Sequence, residues 1–178
     1  MKKRTHKPRE KERDTTTPLV IGWREWISLP ELGIDSIKTK VDTGARTSAL
    51  HAFDIEVFQR NGGDWVRFAI HPLQRNDQIE HVCQCPVRET RLVTNSGGSQ
   101  EDRLVIVTPI TLGDQTWSIE ITLTNRDEMG FRMLLGRTAL RGRFVIDPGQ
   151  SYCQSLEGNS ENTKKITTEK WYGQDEEE

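Results

Sequence analysis

A single aspartate, Asp42, closes the run Ile37-Lys38-Thr39-Lys40-Val41 and is followed by Thr43, Gly44 and Ala45. The run alternates apolar and polar residues, as a strand does. The order then places a carboxylate at a strand end, a hydroxyl next to it, and after that a residue with no side chain. Glycine at position 44 lets the chain turn tightly and lets another backbone approach. Asp and Gly are also ordinary turn residues, and most such triplets, taken alone, are plain turns. If the carboxylate is chemical, it suits general acid–base work on water. Two carboxylates a few ångströms apart cannot both ionise, so one stays protonated. The pair then holds a base for the water and an acid for a carbonyl oxygen.

Only one such triplet is present. Asp35-Ser36-Ile37 lacks the glycine, and Asp147-Pro148-Gly149 has Pro where the hydroxyl belongs. A two-carboxylate mechanism therefore requires a second copy of Asp42 from another chain. That predicts a two-fold homodimer with the site on its axis.

The elements that position Asp42 read as strands. Near-alternation marks Leu19–Leu29, and Pro30–Gly33 turns the chain into the strand that ends at Asp42. Phe53, Ile55 and Val57 lie on a strand that Asn61-Gly62-Gly63 folds back onto Trp65–Ile70. Ile79, His81, Cys83, Cys85 and Val87 share a face of a further strand. Arg91–Thr94 leads to the tip Asn95-Ser96-Gly97-Gly98-Ser99. Pro109 marks an edge or bulge in Leu104–Leu112. Trp117–Leu123 alternates cleanly, Thr138–Gly142 suits one helical turn, and Phe144–Ile146 is a last strand. Short strands with frequent turns predict an all-β barrel or sandwich.

The chain has 178 residues, enough for one domain with a core, and three cysteines (Cys83, Cys85, Cys153) with no framework spacing. That cysteine usage predicts a reducing, cytoplasmic compartment. No apolar run approaches a membrane span, and Met1–Pro18 lacks the apolar segment of a signal peptide. Residues 1–18 carry seven Lys/Arg against three acids, and residues 157–178 carry seven acids against three Lys. Both ends are poor in apolar residues, so 1–18 and 154–178 are expected as disordered tails, one basic and one acidic. The tails could attract each other. No nucleic-acid partner is expected, because a solvated tail explains the basic arm on composition.

A later block, Phe131-Arg132-Met133-Leu134-Leu135-Gly136-Arg137-Thr138-Ala139-Leu140, supports the chemical reading of Asp42. Asp-Thr-Gly-Ala followed by an apolar pair, Gly and Arg resembles the retropepsin-like aspartic proteases. The likeness is closer still to a bacterial group labelled ATP-dependent zinc protease, through Gly22-Trp23-Arg24-Glu25-Trp26, Leu29–Ile34, Lys40–Ala52, Thr124–Asp127 and Met133–Arg137. It spans about residues 19–153. The resemblance implies a single-domain, retropepsin-like closed barrel with one short helix, acting as an aspartic-type endopeptidase on a peptide or protein substrate. It implies that Asp42 is catalytic. Thr43 would lock two loops across the dimer, Gly44 would meet the substrate, and Ala45 would complete the motif. Leu135, Gly136 and Arg137 would support the loop from behind. Ser96, Gly97, Gly98 and Ser99 would form a flap. Members of the group lie beside ATP-grasp ligases that add glutamates to proteins, which implies a functional link.

Two departures stand out. Retroviral relatives carry an acid after the Ala that pairs with the Arg of the later block; here that position is Arg46, so Glu25 or Asp54 is expected to bridge Arg46 and Arg137. An extra hairpin also separates Asp42 from the flap. The rival readings are a zinc-dependent hydrolase built on His81, Cys83 and Cys85, with His51 or His71, and a non-catalytic peptide-binding module. Neither Cys-x₂₋₄-Cys pairs nor His-Glu-x-x-His occurs, and no phosphate-binding Gly-x-x-x-x-Gly-Lys-Ser/Thr run exists, so no metal or cofactor is expected.

Overall fold

The computed structural model describes residues 18–95, 97–125 and 130–154. Ser96, Arg126, Asp127 and most of both expected tails lie outside the described residues.

Among the described residues, twelve strands, one 3-10 turn (Pro30–Leu32, between the second and third strands) and one α-helical turn follow in order. They are β1 (Leu19–Gly22), β2 (Arg24–Leu29), β3 (Ile34–Asp42), β4 (Ser48–His51), β5 (Phe53–Arg60), β6 (Gly63–Ile70), β7 (His81–Pro86), β8 (Glu89–Thr94), β9 (Gln100–Leu112), β10 (Gln115–Thr124), β11 (Met133–Gly136), α1 (Arg137–Leu140) and β12 (Phe144–Asp147). The largest sheet runs β10-β4-β11-β3-β2-β9-β8, and β9 pairs back onto β10. Six strands therefore close a ring, which removes most free edges, and β8 hangs from β9 as the arm of a hairpin. The all-β, retropepsin-like expectation with one short helix holds.

The elements follow their residue patterns closely. In β3 the even-spaced Ile37, Thr39 and Val41 are buried, while Lys40 is exposed. Asn61 and Gly62 both take positive φ (52° and 77°), the requirement of a two-residue hairpin turn. Pro109 falls between the β8 and β2 ladders on that side of β9, where its missing N–H costs no ladder bond. The strand expected from Leu104 begins earlier, at Gln100, because β8 extends the pairing to Thr94. Ile79 lies outside β7, and His71 Nδ1 sits 3.1 Å from its carbonyl.

The extra hairpin is a separate three-stranded sheet, β5-β6-β7. Its inner residues Val66, Phe68, Ile70, Cys83 and Cys85 join one apolar core with Leu32, Ile106 and Leu135 of the ring. The insert is thus fastened to the ring by burial, the dominant favourable term in folding.

Candidate active site

Asp42 is the last residue of β3, half-buried, with Thr43 and Gly44 exposed beyond it. Its Oδ1 accepts hydrogen bonds from Gly44 N at 3.0 Å and Ala45 N at 3.2 Å. A short acidic side chain at a strand end captures amides of the following turn in this way. Oδ2 takes no bond from the described residues. One carboxylate oxygen is therefore fixed by backbone, and the other is left for a water or a second carboxylate.

The loop is held from behind by the Leu-Gly-Arg-Thr block. Strand β11 runs parallel to β3 and sets Leu135 beside Val41 and Gly136 beside Asp42. A Cβ on Gly136 would lie 2.5 Å from the Thr47 carbonyl carbon, so only glycine lets the two backbones meet. Gly136 N donates to Ser48 Oγ at 3.0 Å. Arg137 Nη1 donates to the Thr43 carbonyl at 2.8 Å and to the Gly44 carbonyl at 3.1 Å. Arg137 N donates to the Ala45 carbonyl at 2.9 Å, and Thr138 N to the Arg46 carbonyl at 3.1 Å. Thr138 Oγ1 adds a bond to that same carbonyl at 3.0 Å. Four consecutive loop carbonyls, from Thr43 to Arg46, thus accept from two adjacent residues.

This corrects the expected bridge between Arg46 and Arg137. Arg137 spends its charge on loop carbonyl dipoles and needs no carboxylate. Glu25 is fully buried elsewhere, its Oε1 taking Gly22 N at 2.8 Å and Cys153 N at 2.7 Å, and its Oε2 taking Gln154 N at 3.3 Å. Asp54 sits at the irregularity in β5, with φ 50°.

The zinc that the group's label names does not fit the His/Cys strand. His81 Nε2 lies 2.8 Å from the Leu32 carbonyl, and Cys83 Sγ donates to that carbonyl at 3.6 Å. Desolvation, with Cys85 alongside, pushes the Cys83 thiol up to about 12, and desolvation pushes Cys85 up to about 11. Both therefore stay protonated near neutrality, whereas zinc binds thiolate. Among the described residues no three His, Cys, Asp or Glu side chains group as metal ligands.

The candidate flap is the β8–β9 hairpin. Asn95 and Ser99 close it through Asn95 N to Ser99 O at 2.9 Å, Gly98 N donates to Asn95 O at 3.0 Å, and Gly98 takes φ 82°. Arg91 braces its base by bonding Glu120 at 2.9 Å and Glu89, and these bonds, Glu120 first, raise the guanidinium above its ordinary value.

Charge around the site is one-sided. Residues 36–51 and 130–143, which build it, carry seven Lys/Arg and one acid, Asp42 itself, in a chain of net charge −2. Lys40, Arg46, Arg137 and Arg141 are exposed. Sequence reasoning missed this rim and missed Ser48, whose only signal is a hydroxyl opening an apolar strand. Glu25 did leave a signal: it is the one acid in the inward-facing register of β1 and β2.

Residues 20–157 match the family described as RimB-like, retropepsin-like aspartic endopeptidase RimB. Relatives from Desulfotalea psychrophila (49% identical over 84% of this chain and 32% of theirs) and Shewanella pealeana (45%, 80% and 31%) are each named "Probable alpha-L-glutamate ligase". A relative from Parasynechococcus marenigrum carries the same name, at 49% identity over 77% of this chain and 29% of its own. The chain spans about a third of the length of these relatives. A solved Legionella pneumophila protein of unknown function shares the fold, with TM-score 0.64 at 24% identity over 78% of this chain and 99% of its own. On the match over residues 20–157, the chain belongs to the RimB-like family of retropepsin-like aspartic endopeptidases.

Proposed function

We propose that this chain is an aspartic-type endopeptidase, working in the cytoplasm as a homodimer in which Asp42 of two copies share one proton. The observation that carries this is the half-engaged carboxylate: Oδ1 is fixed by two amides, and the loop around it is clamped on four carbonyls. The exposed Thr43–Gly44 tip suits contact with a second copy.

In the reaction one Asp42 takes a proton from water as its oxygen bonds the scissile carbonyl carbon. The other Asp42 gives its proton to the carbonyl oxygen, forming a gem-diol. Collapse of the gem-diol breaks the C–N bond, and the amide nitrogen leaves with a proton from the dyad. The exposed Lys40, Arg46, Arg137 and Arg141 in the segments that build the site support an acidic substrate, and the relatives' glutamate-ligase name supports peptides that carry added glutamates. A linked ligase would then supply what this site cuts.

The test is cleavage of a mixed peptide library enriched in Glu-rich members, by the wild type and by Asp42→Asn, each with and without a chelator. Asp42→Asn should lower kcat by about a thousandfold or more, within the range that positioned acid–base groups contribute, and the chelator should change nothing. Cleavage that survives in Asp42→Asn sinks the assignment. Binding of peptide with no cleavage by the wild type would mark a peptide-binding module instead.

A further inference from the structure

Strand β3 turns one row of side chains inward and the other outward. Ile37, Thr39 and Val41 are buried, so Lys38, Lys40 and Asp42 share the opposite face. Register carries that face onto the neighbouring strands. Lys40 pairs with Leu134 of β11 on one side and with Arg24 of β2 on the other. Leu134 and Arg24 are both half-buried, and each alternates with buried residues of its own strand, so they share this face. Lys40, Leu134 and Arg24 thus form one cross-strand row, a single side-chain repeat of about 6.6 Å before Asp42.

Arg24 and Lys38, the other cations on the β2–β3 part of this face, are already engaged. The Arg24 guanidinium lies over the Trp23 ring, 4.6 Å from its centroid, and over the Tyr152 ring at 5.1 Å. Its Nε donates to Ser151 Oγ at 3.1 Å. Lys38 Nζ sits 5.2 Å from the Trp26 centroid. The electron-rich ring faces attract such cations. Lys40 is exposed, and among the described residues it makes no ion pair, with Asp42 or with any other acid. It is therefore the cation left over on the face that carries Asp42.

We propose that Lys40 determines specificity by pairing with an acidic side chain on a residue that flanks the bond to be cut. An extended peptide repeats its side chains at the spacing of β3, so a residue next to a bond held over Asp42 comes within reach of the row that holds Lys40. In the homodimer proposed above, the two-fold axis sets one Lys40 on each side of the Asp42 pair, and both flanking residues meet an ammonium. The favoured cleavage point is then between two acidic residues, with Leu134 offering an apolar wall to their methylene groups. The ammonium also offsets the repulsion that a substrate carboxylate would feel from the dyad. This assignment rests on the reading of Asp42 as the peptidase site.

The test reads binding and cutting separately, with the full chain. Two labelled peptides of otherwise neutral residues carry Glu-Glu or Gln-Gln at the centre. In an Asp42→Asn background, fluorescence anisotropy should show the Glu-Glu peptide bound about tenfold more tightly, as two exposed ion pairs, each worth up to about fivefold, give together. Adding Lys40→Met, which keeps an apolar stem and drops the charge, should abolish that preference, and Lys40→Arg should keep it. Arg141→Gln removes one charge of the same rim from the other segment and should leave most of the preference in place. Equal binding of the two peptides with Lys40 present overturns the proposal, and so does a preference undiminished by Lys40→Met. An equal loss in Arg141→Gln overturns it too, since the rim as a whole would then hold acidic peptides. With Asp42 restored, the chain should cut the Glu-Glu peptide between the two glutamates; cleavage at another bond overturns the flanking register. Failure of the peptidase reading looks different: neither peptide is cut, while the binding preference and its loss in Lys40→Met stand.

Discussion

Arg137 Nη1 lies 2.8 Å from the Thr43 carbonyl oxygen, with the Gly44 carbonyl 3.1 Å from the same nitrogen. A cation is thus seated on the backbone of the Asp-Thr-Gly turn, with no acid as its partner among the described residues. The turn's shape depends on that side chain, and Arg137→Lys removes the planar guanidinium that reaches both carbonyls at once. Peptide cleavage should fall by roughly 10- to 100-fold, since small misplacements of a reacting group cost that much. The loop carbonyls are exposed and can rehydrate, so thermal stability should fall by only about 1 kcal/mol. A fall in stability large enough to explain the lost activity would show Arg137 to be a general structural residue.

Gly136→Ala should be far more damaging. The new methyl would meet Thr47 backbone atoms at 2.5 and 2.7 Å, and backbone cannot step aside as a side-chain tip can. Overpacking of this kind costs about 3 kcal/mol. Gly130→Ala meets nothing within 4 Å and serves as the control, with a change within about 0.5 kcal/mol. Urea melts of the two variants decide it; similar midpoints would contradict the close approach.

Glu25→Ala deletes the acceptor for three amides, those of Gly22, Cys153 and Gln154. Buried donors left unpaired cost about 1–3 kcal/mol each, so the loss should be roughly 3 kcal/mol or more. Limited proteolysis should then cut within 148–154 faster than in the wild type. Glu25→Gln keeps one acceptor oxygen and should lie between the two. An Ala variant cut no faster than the wild type would mean that the carboxylate does not hold that stretch.

The cysteines should separate by accessibility and charge state. Cys83 and Cys85 are buried, with thiols raised to about 12 and 11 mainly by desolvation. Cys153 is partly exposed and raised less, by burial first and then by Glu25. At pH 8 an alkylating reagent should give one adduct, at Cys153, and three after denaturation. These raised values also set a pH slope. Unfolded thiols ionise near pH 8.5, so the contribution of Cys83 and Cys85 is complete below that pH. It declines above it, and is spent as pH passes about 11 to 12. Denaturant midpoints measured from pH 8 to 11 should therefore fall; a flat profile would refute buried neutral thiols.

Much of the fold was legible from residue order because strands and turns are local. Alternation in Ile37–Val41 and the paired positive-φ residues Asn61 and Gly62 each declare themselves within a few residues, whereas Pro109, expected at an edge or bulge, lies inside the unbroken strand β9. Asp42 was legible as well, since a carboxylate followed by a residue without a side chain is a local arrangement. The partners that give the site its shape are non-local. Gly136 meets Asp42 from 94 positions away along a parallel ladder, and nothing near Arg137 in sequence says that it will grip Thr43 and Gly44 rather than an acid. The supposed need for Glu25 as a bridge came from pairing charges by type. Burial decided otherwise: in the folded chain, backbone amides of three separate residues converge on that carboxylate. The basic rim has the same origin, because it is assembled from two segments about eighty residues apart that only the closed ring brings together. Local chemistry determined which residue is the candidate for the reaction and which strands deliver it. Tertiary structure decided what holds that residue still and which charges surround it, because those depend on contacts between parts of the chain that share no sequence neighbourhood.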